Sequence, residues 1–314
     1  MSILKADTSW MQNSFGISVH WTAAIISADG NTLPFPQAVK RFDVERFADT
    51  LAAMGATHCI FTLTHAKEFL ALPCAALDKI LPGRTTERDL IGEIISALKK
   101  RSIRFIAYYN HSCNGDDDPE WKKACGYADG INGNLDRFAD NICSIVGEIA
   151  LRYKEGISGW WFDSSYSIDP RGPHNTISCD MGSWLFPWEK LNTAAKSGNP
   201  NAAVTCNSGV GRNFLYFDSQ DYCAGETVDL NADFEDVPHP GMQDHRWVCC
   251  DSPNWILDGK VLKDFPECQF NAIELAPFII RHLAENRMVT LNAIIDQRGI
   301  INPHAVKLVR DILK

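Results

Sequence analysis

The sequence has no basic cluster. Its lysines and arginines are scattered and outnumbered by acids, and the formal net charge is -9. Nucleic acid and anionic membrane surfaces are therefore not expected partners. No apolar run approaches the roughly 20 residues that a membrane span needs. The opening "MSILKADTSWMQNSFG" has no basic region followed by a long apolar stretch, so no signal peptide is expected. No CxxC pair or zinc-ligand spacing occurs, which argues against a structural metal. Repeats, low-complexity tracts and linkers are missing too. No glycine-rich loop opens a helix in the manner of a phosphate site; "SGVGRN" (208–213) is too weak alone.

Cysteine, by contrast, is plentiful. There are eleven, an odd number, and several sit inside apolar runs (Cys59, Cys206, Cys249). Reduced, buried thiols in a cytosolic protein are the expectation. The neighbours Cys249 and Cys250 cannot both face the same side of a strand. With 314 residues and 45% hydrophobic content, a sizeable core is possible.

The main organising feature is alternation. Strand-like runs fall at 14–21, 58–65, 103–111, 159–165, 202–208, 221–226, 245–251 and 289–295. Helical spacing separates most of them. "FDVERFADTLAAMG" places Phe42, Phe47, Leu51 and Met54 on one face and stops at Gly55. "TTERDLIGEIISALKKRS" opens with Thr86 three residues before Asp89, like a capping box, and closes on Lys and Arg. Further helices are expected at 135–154, 187–200, 273–286 and 302–314. Long polar loops replace clear helices after the sixth and seventh strands. Eight strands in this order predict an α/β fold, a (β/α)8 TIM-type barrel that is irregular in its second half. A single catalytic domain over residues 1–314 is expected.

Barrels of this kind place their chemistry at the C-terminal ends of the strands. Those ends read His20 and Trp21, His65, then Tyr109, Asn110 and His111, Asp163, Asn207, Glu226, Asp251 and Asn292. Together they make one polar pocket, with Trp160, Trp161 and Trp255 nearby. Aromatic faces stack on sugar rings, and His, Asn and carboxylates hydrogen-bond hydroxyls. The run "GWWFDSS" is the most pointed of these, because Asp163 directly follows aromatic bulk, and a charge there must be paired, hydrogen-bonded or used. Asp163 and Glu226, from strands four and six, are a pair suited to glycoside hydrolysis. A solvated loop acid is the plainer explanation of Glu226, and Asp221, Asp229, Glu235, Asp236 and Asp251 are rival acids. A three-histidine metal site from His20, His65 and His111 would be the alternative chemistry, but no HxH pair is present and hydrogen bonding explains the histidines as well.

These motifs, in order, resemble the glycoside hydrolase family 29 α-L-fucosidases over nearly the whole chain. "FGISVHW" (15–21) is similar to that family's FGIFIHWG, and "FDVERFADTLAAMGATHCIFTLTHAKEF" (42–69) to its segment ending in HHDGF. "RDLIGEIISALKKRSIRFIAYYN" (88–110) is similar to RDLVKELVDACRKHGLKFGFYYS. "GWWFDSS" resembles GLWFDG, and "NRMVTLNAIIDQRGIINPHAVKLVRDIL" (286–313) resembles the family's closing barrel segment. The resemblance implies that Asp163 is the catalytic nucleophile, that His20 and His65 bind the sugar with Trp21 beside them, and that Tyr109 lies near the ring. "QDYCAGE" resembles the G-D-Y/F…E pattern of one branch, which implies Glu226 as the acid/base.

Three departures stand out. HHDGF has become "HAKEF", with Ala66 and Lys67 in place of the second histidine and the acid. The glycine of WFDG is Ser164. The chain ends at the last barrel helix, so a barrel-only relative without the usual β-sandwich is expected.

The resulting expectation is a retaining exo-glycosidase acting on an α-L-fucosyl or related sugar. Asp163 attacks, Glu226 serves as acid/base, and His20, Trp21, His65, Tyr109, His111, Trp161, Asn207 and Trp255 bind substrate. No cofactor and no metal are needed. The alternatives are a metal-assisted hydrolase of the same fold and a non-catalytic carbohydrate-binding relative.

Overall fold

The structure, a computed structural model, describes residues 5–231 and 237–313. Its strands are β1 (Phe15–Val19), β2 (His58–Thr64), β3 (Arg104–Asn110), β4 (Gly159–Asp163), β5 (Ala203–Cys206), β6 (Glu226–Thr227), β7 (His245–Cys249) and β8 (Met288–Asn292). Its α-helices are α1 (Phe35–Arg41), α2 (Val44–Ala53), α3 (Ala75–Ile80), α4 (Leu90–Lys100), α5 (Pro119–Cys125), α6 (Leu135–Tyr153), α7 (Trp188–Ala195), α8 (Ala272–Ala284) and α9 (Pro303–Ile312). The strands form one parallel sheet in the order β5-β4-β3-β2-β1-β8-β7-β6. No helix among the described residues is long and apolar enough to cross a membrane. All eleven cysteines are free.

The sheet curls like a barrel but does not close: among the described residues, no strand pairing joins β5 to β6. The expected sixth strand, 221–226, is the cause. Gly225 lies at φ +76° with a would-be Cβ only 2.2 Å from the His245 carbonyl oxygen, so the chain presses onto β7 there and only glycine fits. Paired strand remains at Glu226–Thr227, preceded by one isolated parallel bridge from Tyr222 to Gln243. The seam is held by single bonds instead. Asp221 N–H donates to the Val204 carbonyl at 2.9 Å, and Thr205 Oγ1 donates to the Tyr222 carbonyl at 2.7 Å.

Side-chain alternation along the strands divides the core into two layers. Ile60, Ile106, Tyr108, Trp161, Ala203, Ala224, Trp247 and Met288 pack inside the curl. Ile17, Val19, Trp21, Phe61, Phe105, Tyr109, Trp160, Phe162, Val248 and Leu291 face the surrounding helices. Parallel strands covered on both faces read as continuous apolar runs, which is why the sequence shows them so clearly. Cys249 Sγ accepts from Asn292 within the curl, while Cys250 belongs to the outer layer.

Local signals fix the helix ends. α4 starts at Leu90 and is capped by Asp89, whose carboxylate accepts from Gly92 N–H at 2.9 Å. Thr86 spends its hydroxyl on the Arg88 carbonyl and does not cap the helix. α8 opens with a full capping box, Asn271 with Glu274. The short helices α1, α3 and α5 were not expected from periodicity, being only six or seven residues long.

Candidate active site

The inward-facing ends of the strands converge on one cavity of about 160 Å³. Asp163 stands at its base. Its Oδ2 accepts from the Tyr108 hydroxyl at 2.5 Å and from Asn110 Nδ2 at 2.9 Å. Its Oδ1 accepts from Asn207 Nδ2 at 2.8 Å. The same Asn207 nitrogen donates to Glu226 Oε2 at 2.6 Å. Two oxygens held by one nitrogen can lie no farther apart than about 5.4 Å, the sum of those two lengths.

The electrostatics separate the two acids. Burial pushes the Asp163 carboxyl up, but the neighbouring His65 and the bonds from Tyr108, Asn207 and Asn110 outweigh it and hold it below the ordinary aspartate value. For Glu226, burial and the charge of Asp163 act together and push its carboxyl well above the ordinary glutamate value; the Asn207 bond offsets only part of this. One carboxyl is thus kept ionised and its neighbour kept protonated. Such divergence marks an acid/base assignment.

Two histidines face the cavity. His20 Nδ1 donates to Asn292 Oδ1 at 2.9 Å, because the Asn292 amide nitrogen is turned toward the Trp255 carbonyl. That leaves Nε2 as the ring's acceptor. Burial lowers His20 to about 3, so the ring is neutral. His65 packs edge-on to it with ring centroids 5.2 Å apart, and its Nδ1 is buried without a hydrogen-bond partner. His65 is one residue past β2 and reaches the cavity because the pairing slips between Thr62 and Thr64, resetting which residues face inward. Trp161, Trp247 and Trp255 form an aromatic wall: Trp161 and Trp247 meet edge to face at 4.3 Å, and Trp247 and Trp255 at 5.0 Å.

Of the residues expected here, Asp163, Glu226, His20, His65, Trp161 and Trp255 line the cavity, and Asn207 bridges the two acids. Three others point away, all for one reason: they fall on the outward phase of their strands. Trp21 is buried against Phe35 and Phe42 and donates its indole N–H to the Gln297 carbonyl. Tyr109 donates to Glu68 Oε1 behind the sheet. His111 uses both ring nitrogens on the backbone, Nε2 donating to the Ser164 carbonyl and Nδ1 accepting from Cys113 N–H. The three histidines of the metal alternative therefore do not converge.

The rival acids are also placed elsewhere. Asp221 pairs with Lys196 at the seam, Asp251 accepts from Ile294 N–H and Asn302, and Asp229 caps an exposed turn. Glu235 and Asp236 lie outside the described residues. Sequence reasoning missed Tyr108, Trp247, Asn114, Asp117 and Tyr166 as cavity residues. The signal for the first two was available: counting back by twos from Asn110 gives Tyr108, and from Cys249 gives Trp247.

Comparison with known proteins gives a consistent picture. A family model described as α-L-fucosidase matches residues 35–314. Among solved structures, a family 29 α-L-fucosidase from Bacteroides thetaiotaomicron aligns with a TM-score of 0.66 at 16% identity, covering 99% of this chain and 74% of that one. The endo-fucoidan hydrolase P5AFcnA of glycoside hydrolase family 107 aligns with a TM-score of 0.66 at 13% identity, covering 97% and 91%. A fucosyltransferase mutant of the α-L-fucosidase AlfC aligns with a TM-score of 0.65 at 16% identity, covering 97% and 95%. At these identities the likeness is one of fold. No curated protein matches the sequence.

Proposed function

Because the chain belongs to the α-L-fucosidase family of glycosidases, we propose that it is a retaining exo-fucosidase with Asp163 as nucleophile and Glu226 as acid/base. An oxygen of Asp163 attacks the anomeric carbon while the bond to the leaving group breaks. Glu226 gives its proton to the leaving oxygen. The Glu226 carboxylate then takes a proton from water, whose oxygen displaces Asp163 and restores the original configuration. The two carboxyls supply all of the proton and nucleophile chemistry, so no cofactor enters the scheme.

The observation that carries this reading is the Asn207 bridge. Retaining pairs sit about 5–5.5 Å apart and inverting pairs roughly 6.5–9.5 Å. The limit set by Asn207 supports the first class and falls short of the spacing at which an inverting pair accommodates its water. The opposed pKa shifts supply an ionised nucleophile and a protonated acid.

The cavity also fits the substrate class. At about 160 Å³ it is below the roughly 300 Å³ at which drug-sized sites begin, which suits one terminal ring and not a threaded chain. The tryptophan wall offers an apolar face to a deoxysugar methyl. His20 Nε2 is an acceptor for a sugar hydroxyl, and the unpartnered His65 Nδ1 adds a second polar contact. Residues 1–314 act as one catalytic domain.

The test is a panel of nitrophenyl glycosides that includes the α-L-fucoside. Asp163→Asn abolishes turnover, and azide restores it with the β-fucosyl azide as product. Near-wild-type activity in Asp163→Asn overturns the assignment. Sugar binding with no turnover across the panel replaces it with a carbohydrate-binding role.

A further inference from the structure

The residue after Asp163 is strained. Ser164 lies at φ +56°, ψ +30°, in the left-handed region that disfavours any residue with a Cβ. The motif that "GWWFDSS" resembles has glycine there, which would adopt this backbone freely. Strain kept at a buried position beside a reactive carboxylate calls for a compensating role.

The hydroxyl supplies one. Ser164 Oγ accepts from Asn110 Nδ2 at 3.0 Å, and the same nitrogen donates to Asp163 Oδ2 at 2.9 Å. The backbone conformation that costs free energy is what aims the hydroxyl this way. It is locked by the Ser164 carbonyl, which accepts from His111 Nε2 at 2.9 Å and from Ser167 N–H at 2.8 Å. On its other side, the Asn110 carboxamide accepts from Ser112 N–H at 2.7 Å. Ser164 and Ser112 thus fix both ends of one amide whose remaining hydrogen bond goes to the nucleophile.

Resting on the reading of Asp163 as nucleophile, we propose that Ser164 is a positioning residue whose hydroxyl holds the Asn110 amide in register with Asp163. Removing the hydroxyl frees Asn110 to turn from the carboxylate. A carboxylate that loses a donor is harder to keep ionised. His20, His65, Tyr108, Asp117, Tyr166 and Glu226 all face Asp163 and remain in place, so the change reads through Asn110.

Two variants of the full chain test this, Ser164→Gly and Ser164→Ala. Both lower kcat by about tenfold, the size expected for one hydrogen bond to a charged group, with KM within about twofold. Both move the acid limb of the kcat/KM profile to higher pH. The glycine variant does so while its Tm rises, because the strain is gone; alanine keeps the strain and gains no stability. A 13C NMR titration of the Asp163 carboxyl reports the same upward shift without turnover. An unmoved titration, or wild-type kcat and acid limb in Ser164→Gly, overturns the proposal. Failure of the nucleophile assignment shows separately, as activity surviving in Asp163→Asn.

Discussion

The hydroxyl of Tyr108 lies 2.5 Å from Oδ2 of Asp163, on the opposite side of that carboxylate from Asn207. Its neighbour Tyr109 faces the other way and bonds Glu68. The pair makes a clean contrast. Tyr108→Phe removes a donor from a buried charge, worth about 1.5–3 kcal/mol, and lowers kcat/KM by roughly ten- to a hundredfold while the acid limb moves up. Tyr109→Phe leaves kcat/KM within about twofold and lowers Tm. Steady-state profiles and thermal melts of the two variants decide it; the reverse pattern refutes the inward placement of Tyr108.

The pH–rate profile follows from the two carboxyls. As the proposed nucleophile Asp163 acts ionised, and its lowered pKa puts the acid limb below the ordinary aspartate range. As the proposed acid Glu226 acts protonated, and its raised pKa keeps activity up to neutral pH before the basic limb sets in. In Glu226→Gln the residual hydrolysis of an activated aryl fucoside loses the basic limb and keeps the acid limb. A basic limb persisting in that variant assigns it to another group.

Glu68 gives a stability prediction. It is fully buried, with Oε1 accepting from Tyr109 and Oε2 without a hydrogen-bond partner, and burial pushes its carboxyl up to about 8. A carboxyl raised in the folded state favours folding when protonated. That stability is complete below the unfolded value and is lost as pH rises through about 8. Glu68→Gln, which cannot ionise, therefore gains Tm over the wild type as pH increases from 5 to 8, with the gap levelling above that. A gap independent of pH in differential scanning calorimetry contradicts the burial of an ionisable group there.

Trp21 belongs to the packing and not to sugar binding. Trp21→Phe opens space against Phe35 and Phe42 and orphans the Gln297 carbonyl, costing about 1–3 kcal/mol in urea melts. KM for the aryl fucoside stays within about twofold. A tenfold rise in KM at unchanged stability returns Trp21 to the pocket.

Much of this was legible in the chain. Most strands stand out because they are apolar on both faces, and Asp163 stands out because it breaks such a run. Asp163, Asn207 and Glu226 share one cavity because each ends an inward phase. The errors at Trp21, Tyr109 and His111 were errors of phase, since a strand end names two candidates and only alternation separates them. His65 shows why alternation alone does not suffice: it reaches the cavity through a slip in pairing that no local sequence signal announces. The open seam was hidden for a similar reason. "DYCAGE" reads as a strand, yet Gly225 is pressed against the β7 backbone, a contact between residues some twenty positions apart.

That seam has a consequence for how the stereochemical outcome is set. β4, which carries Asp163, is paired on both sides, whereas Glu226 sits on a two-residue strand paired only to β7. Among the described residues, no backbone ladder spans the gap between the two acids. A single carboxamide, Asn207, acts as the gauge. The separation on which that outcome depends is then held by one replaceable side chain across the unpaired seam. A substitution at Asn207 therefore acts on the spacing of the two acids while altering neither of them in the sequence.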